Sequence, residues 1–234
     1  MRLLLLSNSM NPGSGYLEHA LPAILEHLAD ARTLAFVPYA AVRVPWDEFE
    51  ARVTAVFAKH DIEVRGVQRY TDPRDVVATC DAVAVGGGNT FQLVDALHRT
   101  GLMETIGARV HDGAPFVGWS AGANVACPTL RTTNDMPIVE PRSFATLHFV
   151  PFQINPHYLD AHAELHMGES REERILEFIR ANPDVPVVGL REGSMLRRMG
   201  ARLELLGPRT ARIFREGTDP AEFAPGSNLD FLLE

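Results

Sequence analysis

The sequence predicts an α/β fold: a mostly parallel β-sheet flanked by helices on both faces, closed by a C-terminal β-hairpin. Two observations carry this expectation. Short apolar runs alternate with stretches whose apolar residues recur near a 3.6-residue period, an alternation that builds βαβ units around one parallel sheet. Two of the runs also end abruptly in glycine-bearing turns, Gly86-Gly87-Gly88 and Gly118-Trp119-Ser120-Ala121-Gly122, as strands do where a chain must reverse into a helix.

Taken in order, Met1–Leu6 reads as a buried first strand, because a strand covered on both faces is a near-continuous apolar run. A turn containing Pro12, Gly13 and Gly15 leads to a helix over Leu17–Leu28. Thr33–Val37 is the second strand and Trp46–Lys59 the next helix, with a strand near Glu63–Val67 and a short helix after Pro73. Ala82–Val85 is a strand that the glycines end, and Phe91–His98 is helical. Val117 lies in a short strand entering the Ser120 turn. Arg171–Arg180 is expected to be helical and Val185–Gly189 extended. Leu203–Leu206 and Ala211–Phe214 have the short alternating pattern of a hairpin. The stretch 134–169, rich in Pro, His and Asn, is the least regular, and long irregular segments within compact folds are often functional. No linker, repeat or low-complexity tract divides the 234 residues, so 1–234 is expected to be a single domain.

Composition narrows the function. Hydrophobic residues make up 46% and charged residues 22%, as in globular proteins with a substantial core. The formal net charge is −8, from 30 acidic and 22 basic side chains, with no basic stripe. Nucleic acid and anionic membranes are therefore not expected partners, and an acidic ligand would need a dedicated local cation. The apolar run Leu3–Leu6 stops at Ser7-Asn8-Ser9, short of the roughly 7–15 residues of a signal-peptide core. No segment approaches the roughly 18 apolar residues of a membrane span. Cys80 and Cys127 have neither metal nor redox spacing, so a cytoplasmic protein is expected.

Gly118-x-Ser120-x-Gly122 after a strand has the form of a nucleophile elbow, whose tight turn exposes the serine and aims the amides and dipole of the following helix at a developing oxyanion. Gly86-Gly87-Gly88-Asn89-Thr90 lacks both the dinucleotide fingerprint and a P-loop lysine; beside an elbow, its backbone can supply a second oxyanion donor. A base is needed, and His157 in Asn155-Pro156-His157-Tyr158 competes with His148, His162 and His166. The i, i+4 pair His162 and His166 could hold a metal on a helix, but a third ligand and a metalloprotease glutamate are missing. Spacing alone does not choose between His157 and His148. Glu192, just after the strand at Val185–Gly189, is either the acid that orients the imidazole or an exposed turn carboxylate. The order Ser120, His157, Glu192 differs from the serine, acid, histidine order of an α/β-hydrolase.

Five segments in one order resemble the peptidase E family. They are Gly86-Gly87-Gly88-Asn89-Thr90-Phe91-Gln92-Leu93, Gly118-Trp119-Ser120-Ala121-Gly122-Ala123-Asn124, Arg131-Thr132-Thr133-Asn134-Asp135-Met136-Pro137-Ile138-Val139, Gln153-Ile154-Asn155-Pro156-His157 and Gly168-Glu169-Ser170-Arg171-Glu172. The similarity begins at Leu3–Ser9 and fades around 141–148 and in the C-terminal tail. The resemblance implies a fold like that of class I glutamine amidotransferases, and an α-aspartyl dipeptidase that needs no metal or cofactor. It implies a triad of Ser120, His157 and Glu192, with oxyanion donors at Gly88 and Ala121. Glu192 lies where the family pattern is less rigid. Substrates are expected to be small peptides with an N-terminal aspartate, and the protein a monomer or small homo-oligomer. Asn89 is an expected substrate contact. Arg171 is the candidate clamp on the aspartate side chain, with Arg131 in reserve. The alternatives are an enzyme on the same scaffold acting on β-aspartyl links, as a cyanophycinase does, and a non-catalytic binding module.

Overall fold

The computed structural model describes residues 1–160 and 168–234. Its central sheet has seven strands. Five are parallel: β1 (Arg2–Leu6), β2 (Thr33–Val37), β3 (Glu63–Gly66), β4 (Ala82–Val85) and β5 (Phe116–Trp119), in the spatial order β3-β2-β4-β5-β1. A second sheet begins with β6 (Gln153–Pro156), parallel to β7 (Val187–Leu190). The chain then returns to β1, adding the antiparallel strands β8 (Met195–Met199) and β9 (Arg202–Leu206) to the central sheet. Finally β10 (Ala211–Phe214) and β11 (Ala221–Phe223) complete the second sheet in the order β11-β10-β7-β6.

The helices are α1 (Leu21–Leu28), α2 (Trp46–Phe57), α3 (Pro73–Thr79), α4 (Thr90–Thr100), α5 (Leu102–His111), α6 (Ala121–Asn124) and α7 (Arg171–Ala181). The period-two geometry of a strand sorts the core. Leu4 and Leu6 of β1 pack with Leu34, Phe36, Val117 and Trp119 beneath α1 and α2. Leu3 and Leu5 join Ala35, Val37, Val83 and Val85 against α3, α4 and α5. The expected mostly parallel sheet with helices on both faces is therefore present.

The differences have local causes. The helix expected from Leu17 starts at Leu21, because Leu17 takes φ 57° and Pro22 suits only a first turn. The strand expected from Val185 starts after Pro186, which has no amide to donate. Helix α5 follows α4 across Gly101 (φ 71°), which ends one helix and opens the next. The C-terminal region forms hairpins, but not by pairing 203–206 with 211–214. Strand β9 pairs with β8 and β10 with β11, so these neighbours in sequence lie in different sheets.

His27 on α1 is buried, and burial, followed by the nearby Arg2 guanidinium, pushes its pKa down to about 4. The native state keeps the ring neutral where the unfolded chain, near 6.5, takes up a proton. The resulting stability is complete above about pH 6.5 and lost as pH falls towards 4, with a ceiling of about 3 kcal/mol. Urea unfolding at pH 7 and pH 4.5 is expected to show this loss in the wild type. It should be much smaller in His27→Gln; an identical loss in both would assign the titration elsewhere.

Candidate active site

The carboxyl ends of the parallel strands lie along one edge of the sheet, where sites form in α/β folds. Ser120 follows β5 directly, and its φ of 53° and ψ of −112° give the sharp turn of an elbow. Its amide donates to Leu6 O at 3.0 Å, fixing the turn to β1. The elbow needs glycine at 122, since a Cβ there would lie 2.1 Å from Val85 O on the neighbouring strand. The helix that follows, α6, is a single turn. The amides close to Ser120, rather than a long helix dipole, therefore dominate the field the turn presents.

The β4 end brings Gly86–Gly88 alongside. Gly88 has φ 143°, and a Cβ there would lie 2.1 Å from Ala40 O, so only glycine allows this approach. Among the described residues, neither the Gly88 nor the Ala121 amide is bound to another protein group. Both stay available to an incoming oxygen.

His157 stands just beyond β6. Its Nε2 is 2.9 Å from Ser120 Oγ and its Nδ1 is 2.7 Å from Glu192 Oε1. Glu192 lies in the turn after β7, and the parallel pairing of β6 with β7 carries acid and imidazole to the same end of the second sheet. With Glu192 accepting the Nδ1 proton, Nε2 is left free to accept from the serine hydroxyl. His148, the competitor, is exposed in its own loop, its amide on Cys127 O. His162 and His166 lie outside the described residues.

The irregular stretch turns out to be a bracket. Asp135 accepts from the Thr90 amide and from the Thr90 and Thr133 hydroxyls, fixing the glycine loop. Asn134 donates to Pro156 O, and Asn155 donates to Thr132 O and to Asn134 Oδ1, fixing the approach to His157. Beside Glu192, the Arg191 guanidinium joins Asp160 to Glu222 and lies 5.4 Å from the Tyr158 ring centre. That pairing holds both carboxyls below their usual range.

A cleft of about 560 Å³ opens beside Ser120 and His157, within the roughly 300–1,000 Å³ of small-ligand sites. One wall is aromatic, from Tyr16, Phe49 and Trp119, with the Arg52 guanidinium 5.6 Å from the Tyr16 ring centre. Asn89 lines the cleft, but its Oδ1 caps α4 through Gln92 N and its Nδ2 donates to Met136 O. Neither arginine nominated from the sequence lines it. Arg171, at the start of α7, donates through Nη1 to His157 O and Pro156 O; burial lowers its pKa while nearby Glu192 opposes that shift. Arg131 bonds Thr129 and Asn182 and covers Phe178, away from the cleft. The cleft's arginines are instead Arg43 and Arg52, which sequence reasoning missed. Exposed arginines on a loop and a helix carry no signal of facing a cleft. Among the described residues no group of three His, Cys, Asp or Glu side chains could hold a metal, and no helix is long and apolar enough to cross a membrane.

The model of "Peptidase family S51" matches residues 3–206. The chain belongs to peptidase family S51. Relatives at high identity span its full length. A protein named peptidase E from Streptomyces coelicolor is 56% identical, covering 100% of this chain and 96% of the relative. One from Nostoc sp. is 46% identical, covering 100% and 97%, and one from Citrobacter koseri is 46% identical, covering 97% and 99%. Among solved structures, a putative peptidase E from Listeria monocytogenes matches with a TM-score of 0.66 at 19% identity, covering 88% of this chain and 98% of that one. A peptidase from an acI-B1 actinobacterium matches at 0.68 and 16%, covering 97% and 96%. At those identities the two structures speak for the fold alone. Membership of family S51 makes the chain a serine peptidase, and the elbow, imidazole and carboxylate are the groups such chemistry requires.

Proposed function

We propose that this S51 peptidase is an α-aspartyl dipeptidase, acting on small peptides with an N-terminal aspartate, with Ser120, His157 and Glu192 as its triad. The observation that carries the triad is the relay of 2.9 Å and 2.7 Å from Ser120 Oγ through His157 to Glu192. The substrate class rests on the relatives named peptidase E. As Ser120 Oγ bonds to the scissile carbonyl carbon, its proton passes to His157 Nε2 and the oxygen takes its charge onto the Gly88 and Ala121 amides. Collapse breaks the C–N bond, and His157 returns the proton to the departing amine. Water, deprotonated by the same imidazole, then attacks the ester and frees aspartate and Ser120.

The reading extends to residues 1–234 as one catalytic domain acting in the cytoplasm, a setting that suits the buried free thiols of Cys80 and Cys127. Peptide hydrolysis supplies its own test. Asp-Leu should be cleaved, while Glu-Leu, Ala-Leu and β-linked Asp-Leu should be poor substrates. Failure of well-folded protein on every α-aspartyl peptide would sink the assignment.

Arg171 separates two explanations of specificity in the same assay. As an aspartate clamp, Arg171→Lys should lower kcat/KM for Asp-Leu about 10-fold or more while sparing Ala-Leu, because an ammonium lacks the guanidinium fork. If Arg171 serves only the carbonyl of His157, both peptides should lose activity in equal proportion, and the clamp is then to be sought at Arg43 or Arg52.

A further inference from the structure

The site is divided between two sheets. Ser120 ends a strand of the seven-stranded sheet, whereas His157 and Glu192 follow strands of the four-stranded sheet. Among the described residues no strand-to-strand ladder joins the two. A nucleophile and base 2.9 Å apart therefore depend on bonds that cross this boundary.

The side chains of Ser7 and Asn8, the two residues that follow β1, reach across it, while Leu6 holds Ser120 within the central sheet. Leu6 O accepts from the Ser120 amide at 3.0 Å. Ser7, wholly buried, accepts at Oγ from the His157 amide at 2.9 Å and donates the same hydroxyl to Leu190 O at 2.7 Å, two residues before Glu192. The Ser7 amide donates to Ser194 O at 3.0 Å, two residues after Glu192. Asn8, also buried, accepts at Oδ1 from the Gly193 amide at 2.8 Å, while its Nδ2 is fixed by Met10 O and Asn11 Oδ1. One hydroxyl thus serves one donor and one acceptor on the loops that carry base and acid, using its donor and an acceptor site together.

The bond matters most at His157, which has φ 52°. A non-glycine residue holds such a backbone only where its surroundings over-determine it. Here the surroundings are the Ser7 hydroxyl on the amide and the Arg171 guanidinium on the carbonyl. Alanine at 7 would leave the His157 amide without that acceptor and free the backbone to relax, swinging the ring away from Ser120.

We propose that Ser7, aided by Asn8, is a positioning residue that suspends His157 and Glu192 from the strand neighbouring the nucleophile. It touches no substrate and does not line the cleft. Its loss should therefore act on kcat and leave KM almost unmoved. A misplacement near 1 Å can cost about 10²-fold, so Ser7→Ala is expected to lower kcat about 10- to 100-fold per folded molecule, with KM within about 2-fold.

The inference rests on the proposed triad, so its test needs a readout independent of the peptide. Wild type, Ser7→Ala and Ser7→Cys are compared in Asp-Leu turnover, in the rate of Ser120 labelling by a small fluorophosphonate, and in the low-field proton NMR signal of His157 Nδ1–H. Cysteine keeps a side chain of similar size but a weaker donor and acceptor, so it should fall between the other two and keeps the test open if alanine prevents folding. Slower labelling and a broadened or shifted His157 signal, alongside lower kcat and constant KM, support the clasp. Folded variants that label and turn over within about 2-fold of wild type, or losses that only follow the folded fraction, overturn it. Wild type that labels at Ser120 but cleaves no α-aspartyl peptide would count against the substrate assignment and leave the clasp to the labelling and NMR comparison.

Discussion

Ser120→Ala is expected to lower kcat for Asp-Leu about 10⁴- to 10⁶-fold, the largest effect of any single change in this protein. The hydroxyl is the only group at the elbow able to form the ester, and without it His157 has no nucleophile to deprotonate. The surrounding geometry should survive. The turn is fixed by the bond from the 120 amide to Leu6 O and by the close approach of Gly122 to Val85, neither of which involves the side chain. Melting temperature should therefore change little, and the cleft and the Gly88 and Ala121 amides should still bind peptide. Calorimetric titration of the variant with Asp-Leu would show binding without turnover. Residual hydrolysis above one part in about 10³ at normal fold would instead mean that water can be activated directly by His157 and that no covalent aspartyl-enzyme is required.

The elbow could be read from the sequence because its meaning is local: an apolar strand, a serine between glycines and a small-residue helix start adjoin one another. Strands β1, β2, β4 and β5 were legible for a related reason, since burial on both faces leaves apolar runs. β6 was not. Gln153 and Asn155 are polar yet buried, their side-chain nitrogens donating to Thr129 and to Thr132 and Asn134, a pattern that hydropathy reads as loop. α5 is also legible, for Leu102, Met103, Ile106 and Val110 recur at helical spacing on its buried face. The hairpin was mispaired because Gly207–Thr210 resembles a hairpin turn, whereas the chain there passes from one sheet to the other. Within the site, no spacing rule brings together residues 37 and 35 positions apart. The choice of His157 came from resemblance, not from the physics of the sequence. The position of Arg171 shows the limit most sharply, because its partners are two backbone carbonyls, and a carbonyl has no letter in the sequence.

Glu192→Gln is expected to lower kcat about 10³-fold while leaving KM within about 2-fold, since Glu192 bonds His157 and does not line the cleft. Replacing the acid of a buried triad costs roughly 10⁴-fold, mainly through the wrong tautomer. The expected loss here is smaller because the Glu192 side chain is 46% exposed, and water can share in stabilising the imidazolium. The amide of glutamine can present a donor to Nδ1, which forces the proton onto Nε2 and removes the acceptor that Ser120 needs. Glu192→Asp tests reach rather than charge: the carboxylate withdraws by one methylene from a contact now at 2.7 Å, so an intermediate loss is expected. If Glu192→Gln retained activity within about 3-fold, Glu192 would be an exposed turn carboxylate, and the orientation of His157 would fall to its backbone anchors, Ser7 and Arg171.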